Sequence, residues 1–143
     1  MAVGHRRRAR TKALRLPYWN ADGVRSKKQE LDHFLSQYGI DICLLTEVHL
    51  RSGIVFRMAY YVCHRNDRST EGGGAAILVP RGMVHHTVPV LRLTHLEATV
   101  IQVTLASKPV KILTAYLSPT RPLIALDLSA CLGGILPASW RVT

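Results

Sequence analysis

A layered α/β fold is the class this sequence predicts, on three observations. A segment of helical period, Leu31, Phe34, Leu35 and Tyr38, lies between two short apolar runs. Later runs have the length and β-branched content of strands, and Gly- and Pro-containing breaks separate them. With 143 residues, 48% of them hydrophobic and 20% charged, the chain is one domain's worth and carries enough apolar side chain for a core.

The elements follow in order. Residues 1–12 form a basic, flexible arm. Ala13 to Trp19 has a strand pattern, Leu14, Leu16 and Tyr18 sharing one face, although Pro17 cannot donate to a ladder. Ser26-Lys27-Lys28-Gln29 matches a capping box and opens a helix that Gly39 stops. Asp41 to Thr46 is a short run of the buried-strand type, so strand, helix and strand make a βαβ unit with parallel strands. Tyr60 to Cys63 is a further strand, followed by a polar loop from His64 to Glu71. Gly72-Gly73-Gly74 leads into a strand over Ala75 to Val79. His95 to Leu105 and Val110 to Leu117 are long strands joined by a hairpin loop, Ala106 to Pro109. After the break at Ser118 to Pro122, Leu123 to Leu132 forms a second helix ended by Gly133-Gly134.

Charge and cysteine content narrow the partners. Nineteen Lys and Arg against nine Asp and Glu give +10, and six of the basic residues (Arg6, Arg7, Arg8, Arg10, Lys12, Arg15) fall in the first fifteen positions. A basic arm ahead of a mildly basic domain is the footprint of a polyanion binder; an import segment has the same appearance. No apolar run approaches the ~18 residues of a membrane helix, so no membrane partner is expected. Three cysteines without CxxC spacing suit an intracellular protein, nuclear or cytoplasmic, better than a disulfide framework or a zinc site.

Two segments carry chemistry. Leu16-Pro17-Tyr18-Trp19-Asn20-Ala21-Asp22-Gly23 puts an amide at the end of the first strand, and Leu44-Leu45-Thr46-Glu47-Val48-His49 puts a carboxylate at the end of the second. Side-chain oxygens at neighbouring strand ends suit one hard cation such as Mg2+, which binds through one or two protein groups plus substrate phosphate. Taken singly, Asn20 also suits a turn and Glu47 a solvated loop acid. In order and context these segments resemble the endonuclease/exonuclease/phosphatase superfamily, and within it the apurinic-type endonuclease domain of jockey-like non-LTR retrotransposons.

The resemblance implies a layered α/β sandwich of that type, present as its N-terminal half, with residues 13–137 as a partial domain and 138–143 as a divergent tail. It implies a Mg2+-dependent DNA endonuclease, with Asn20 and Glu47 holding the metal and Asp22 as an auxiliary acid. Tyr116, in Thr114-Ala115-Tyr116-Leu117-Ser118-Pro119, matches a second motif and would hydrogen-bond the scissile phosphate. Apart from the resemblance, Arg121 just beyond is placed to touch nucleic-acid backbone, of DNA or RNA, although an ordinary surface arginine fits the position better. No small-molecule cofactor beyond the metal is implied. A valine stands at position 48 where the family often has threonine after the glutamate, and His49 is expected to be structural or exposed.

Other motifs drop out. The Gly72-Gly73-Gly74 run leads into a strand and lacks Gly-Lys-Ser/Thr, so it is not a phosphate loop. His85-His86 and Cys63-His64 suggest zinc, but adjacent strand residues point to opposite faces, so neither dipeptide chelates by itself. The family's later Gly-Asp-x-Asn and Ser-Asp-His segments do not occur in these residues. Two expectations follow: no nicking by this chain alone, and a first sheet left bare on one face and prone to aggregate. A non-catalytic nucleic-acid binder working through the arm, or a decayed transposon remnant, is the alternative.

Overall fold

The computed structural model describes residues 14–66, 73–90 and 93–132. The arm at 1–12 with Arg6, Arg7, Arg8, Arg10 and Lys12, and the tail at 138–143, lie outside the described residues.

The chain runs β1 (Tyr18–Asn20), a 3-10 turn (Arg25–Lys27), α1 (Lys28–Tyr38), β2 (Cys43–Thr46), β3 (Tyr61–Asn66), β4 (Ala75–Pro80), β5 (His85–Val88), β6 (Leu96–Leu105), β7 (Lys108–Leu117) and α2 (Ala125–Leu132). Two sheets result, β1-β2-β4-β3 and β5-β6-β7. The pairing of β1 with β2 is parallel and every other pairing is antiparallel.

Period-2 alternation sets the layers. On β2 and β4, Cys43, Leu45, Ala76 and Leu78 pack with Leu31 and Leu35 of α1. The opposite face, with Ile42, Ile77 and Val79, packs on Ile101, Val103 and Ile112 of the second sheet. That sheet's outer face, with Leu96 and Ala98, meets Cys131 and Leu128 of α2. The order is therefore α1, first sheet, second sheet, α2. A bare face on the first sheet was the wrong expectation: β5, β6 and β7 supply a cover from within these residues.

Several boundaries differ from expectation, each for a local reason. Arg15 and Pro17 already run beside β2, their carbonyls accepting from Ile42 N and Leu44 N. Pro17 has no N–H to return, so two-way pairing starts only at Tyr18, not Ala13. Ser26 is not an N-cap. Gly23 N and Val24 N are bonded to Glu47 O and Val48 O, and Lys27 N to Val24 O, which tightens the entry into a 3-10 turn; Ser26 Oγ donates back to Gly23 O instead. Only Leu31 and Leu35 of the apolar stripe are buried, while Phe34 and Tyr38 stack on each other at its exposed flank.

The predicted loop from His64 is strand as far as Asn66, because the ladder with β4 continues to Asn66↔Ala75. His85–Val88, unassigned in the sequence, forms β5. The β6–β7 hairpin closes on two residues, Ala106 and Ser107, both left-handed at φ 49° and 63°, as a right-twisted hairpin requires.

Candidate metal-binding site

The site lies where β1 and β2 end together. Their parallel register sets Asn20 opposite Thr46, and Ala21 N donates to Thr46 O at 2.9 Å. Gly23 N then reaches Glu47 O at 2.8 Å, so the two chain ends stay stitched past the strands. Beneath them Thr46 is fully buried and bonds Tyr18 Oη at 2.8 Å. Thr114 Oγ1 of β7 donates to Leu45 O at 3.3 Å, seating the second sheet under the same point.

The backbone here is strained. Asp22, Glu47 and His49 all adopt positive φ, at 44°, 50° and 54°. A non-glycine residue in that region costs of order 1 kcal/mol or more, and such residues cluster where a side chain must be re-aimed for function. The left-handed step at Glu47 ends the alternation of β2 and turns its half-buried side chain out of the ladder. Among the described residues, none donates a hydrogen bond to the Glu47 carboxylate. Asn20 Oδ1 accepts Asp22 N at 3.3 Å, the turn contact that its type favours, and an amide oxygen has a second lone pair to offer. Asp22 is exposed, with Oδ1 3.9 Å from Nε2 of His49. His49 itself packs over Gly23 and gives its N–H to Gly73 O at 3.0 Å, a structural placement.

Tyr116 reaches this end by layers. Thr99 and Thr114 are cross-strand partners, and Thr99 Oγ1 donates to Ala75 O. One step further along the same face come Glu97 and Tyr116, again partners. Glu97 lies against the glycines that precede β4: Gly74 N donates to its Oε2 at 2.5 Å, and a Cβ on Gly73 would overlap that carboxylate. Since Gly73 O holds His49 N, one continuous path runs from Tyr116 and Glu97 through Gly73 to the turn carrying Glu47. Arg121 is exposed in the turn just past β7, with its N–H on Ser118 O.

Sequence reasoning missed Glu97. Its signal was visible: a lone acid inside Leu96-Glu97-Ala98-Thr99-Val100-Ile101, an otherwise apolar and hydroxyl strand. Gly73 and Gly74, from the run given no chemistry, are where that acid docks.

The donor types suit a hard cation: an amide oxygen and a carboxylate at neighbouring strand ends leave positions for water and phosphate, as Mg2+ prefers. Among the described residues there is no group of three or more His, Cys, Asp or Glu able to hold a metal unaided. The family model of the Endonuclease/Exonuclease/phosphatase family matches residues 18–140.

The chain belongs to that family.

Its curated relatives carry retrotransposon names. It is 30% identical over 110 residues to the RNA-directed DNA polymerase from mobile element jockey of Drosophila funebris, covering 74% of this chain and 12% of the relative. It is 28% identical over 109 residues to the probable RNA-directed DNA polymerase from transposon X-element of Drosophila melanogaster, again 74% and 12%. Among solved structures, AP endonuclease LMAP from Leishmania major aligns with TM-score 0.60 at 12% identity, over 79% of this chain and 42% of that one. D. rerio TDP2 complexed with a single-strand DNA product aligns with TM-score 0.54 at 19% identity, over 76% and 47%. These two likenesses establish the fold, and the chain spans about one eighth of the curated relatives and about half of the solved neighbours.

Proposed function

We propose that this domain belongs to a Mg2+-dependent phosphodiesterase acting on DNA, as the target-nicking endonuclease of a retrotransposon does, in the nucleus or cytoplasm. The observation that carries the reading is the parallel pairing of β1 with β2, which sets the strand ends bearing Asn20 and Glu47 side by side, with positive φ at Asp22 and Glu47. Asn20 and Glu47 would hold the ion, whose chemistry is to withdraw charge from a phosphate oxygen. Tyr116 would donate a hydrogen bond to the phosphate, and Asp22 would orient a donor group at the exposed rim. Arg121, and the arm of Arg6, Arg7, Arg8, Arg10 and Lys12, would run along nucleic-acid backbone, of DNA or RNA.

Hydrolysis also needs a base for the attacking water and a donor for the leaving oxygen. The family's Gly-Asp-x-Asn and Ser-Asp-His segments, which would supply them, do not occur in these residues, so we expect ion and DNA binding without nicking from these 143 residues. Mn2+ serves as the probe of the site: titration followed by electron paramagnetic resonance should give one bound ion per chain. Affinity should fall at least tenfold in both Glu47→Ala and Asn20→Ala. Uptake unchanged in both variants would overturn the metal assignment. Relaxed plasmid circles produced with Mg2+ by the wild-type chain, and lost in Glu47→Ala, would overturn the expected inactivity.

The charge distribution supports a second reading, a binder that works through its arm without catalysis. The five arm charges together with Arg15 on duplex DNA would give a slope of log K on log salt near about −5. A curve flat in salt would remove it.

A further inference from the structure

Neither of the two dipeptides that suggest zinc chelates by itself, but the fold brings one histidine from each together. His64 lies on β3, an outer strand of the first sheet, and His85 opens β5, an outer strand of the second. Their Nε2 atoms are 2.6 Å apart and the rings meet edge to face at 4.8 Å. Both side chains are partly buried.

The hydrogen bonds fix the tautomers. His85 Nδ1 is 2.7 Å from Met83 O, and a carbonyl only accepts, so Nδ1 carries the hydrogen and Nε2 of the neutral ring is a bare lone pair. His64 must therefore present Nε2–H to it. A backbone carbonyl behind the distal nitrogen is also how a metal-bound imidazole is oriented. We propose that His64 and His85 form a transition-metal site, with zinc as the cation it suits, that clips the outer strand of one sheet to the outer strand of the other.

The geometry needs little change. Zinc–nitrogen bonds of ~2.0–2.1 Å place two ligand nitrogens roughly 2.9–3.4 Å apart. The observed pair would open by less than about 1 Å through its own χ angles. The proton on His64 Nε2 moves to its Nδ1, so two neutral imidazoles bind Zn2+ with no net proton released and no redox change. Burial and the neighbouring His85 push His64 below the ordinary histidine range. Among the described residues no third His, Cys, Asp or Glu completes the set, so water fills the shell. An open groove of about 440 Å³ beside His64, lined also by Asn66 and Thr87, gives it room.

This site is separate from the Glu47 crevice. His64 and Leu44 both pair with Ile77, so the His64 backbone lies two strands across and three residues back from Glu47, roughly 14 Å at strand spacing and rise. Zinc as the sulfate is the probe, added to the full 143-residue chain at neutral pH. Competition against a weak chromophoric chelator should show one Zn2+ taken up per chain. Affinity should fall at least tenfold in H64Q and in H85Q, and stay unchanged in E47A. The melting temperature should rise by roughly 3–6 °C once free zinc exceeds about ten times Kd. The same concentration of Mg2+ should not move it, since imidazole pairs select zinc over magnesium. Zinc uptake that is equal in wild type, H64Q and H85Q, or no uptake at all, would overturn the proposal, and the chelator assay decides this even where melting is not cooperative.

Discussion

Asp127 and Glu47 are both carboxylates at the ends of secondary structure, and their surroundings give them opposite roles. Asp127, buried near the start of α2, accepts three backbone N–H groups, from Thr94 and His95 at 2.8 Å and Leu96 at 2.9 Å. It closes the open start of β6 onto α2, buried and with both oxygens bonded to backbone. Glu47 has a left-handed backbone just past the end of β2, its carbonyl taken by Gly23 N and its carboxylate given no hydrogen bond among the described residues. The difference teaches how to sort acids in this fold. An acid whose oxygens are consumed by amides is structural, and one held by its backbone alone is available for chemistry.

The largest expected effect breaks the structural member. Asp127→Ala would strand three amide donors next to the core, at a cost on the order of 3 kcal/mol or more. Urea melting should show it, while Mn2+ uptake at Glu47 by the folded fraction should not change. Loss of stability below ~1 kcal/mol would mean that water replaces the carboxylate, and the contrast with Glu47 would fail.

Next comes the join between glycines and acid. Gly73 sits at φ 67°, and a methyl there would run into Glu97. Gly73→Ala should destabilise by about 2–4 kcal/mol, from left-handed strain plus overpacking. Removing the carboxylate in Gly73→Ala/Glu97→Ala should recover the overpacking part, visible as non-additivity in a double-mutant cycle. Strict additivity would show that Glu97 does not hold this segment.

Acid titration separates the two kinds of group. Burial pushes His64 below its ordinary 6.5, helped by the charge of His85. Its contribution to stability is therefore complete above that value and is lost as pH falls through the lower folded-state pKa. Burial alone would raise Asp127, but the three backbone N–H donors outweigh it and hold the carboxyl below its ordinary 3.8. Its contribution is lost only as pH falls through a still lower value. Stability should decline in two acid steps, the first flattened by His64→Gln and the second by Asp127→Asn. A single step insensitive to both variants would contradict this assignment.

How much of this was legible in the sequence depends on the range of the interaction. The position of Asn20 and Glu47 at neighbouring strand ends was legible because a βαβ unit places two strand ends side by side, which the apolar periods of Leu31, Leu35 and Cys43 to Leu45 already dictate. The α1 boundary was not, because the cap at Ser26 competes with bonds from Gly23 and Val24 to residues more than twenty positions away. β5 was hidden by its short, half-polar strand, which only pairing with β6 makes regular. Cover for the first sheet was missed for a different reason: the long runs at β6 and β7 were recognised as strands, but their odd and even faces serve two different cores. The meeting of His64 with His85 depends on how the sheets stack, and no local period carries that.

The smallest expected effect is the most discriminating. Glu47→Gly should remove the proposed metal ligand and relieve the left-handed backbone at once. A residue chosen for structure would lose stability on such a change. Here stability should rise by about 0.5–1 kcal/mol, the strain released less the extra entropy of glycine in the unfolded chain. Mn2+ uptake should fall at least tenfold in the same variant. Asp22→Gly, at φ 44°, should behave alike in stability but keep most of the ion binding, because its carboxylate stands at the exposed rim. Gain of stability with loss of the ion at Glu47, and gain without loss at Asp22, would show that strain is retained at position 47 for the sake of its carboxylate. A Glu47→Gly chain that melts earlier than wild type would mean that the side chain is packed for stability, and Glu47 would then belong with Asp127.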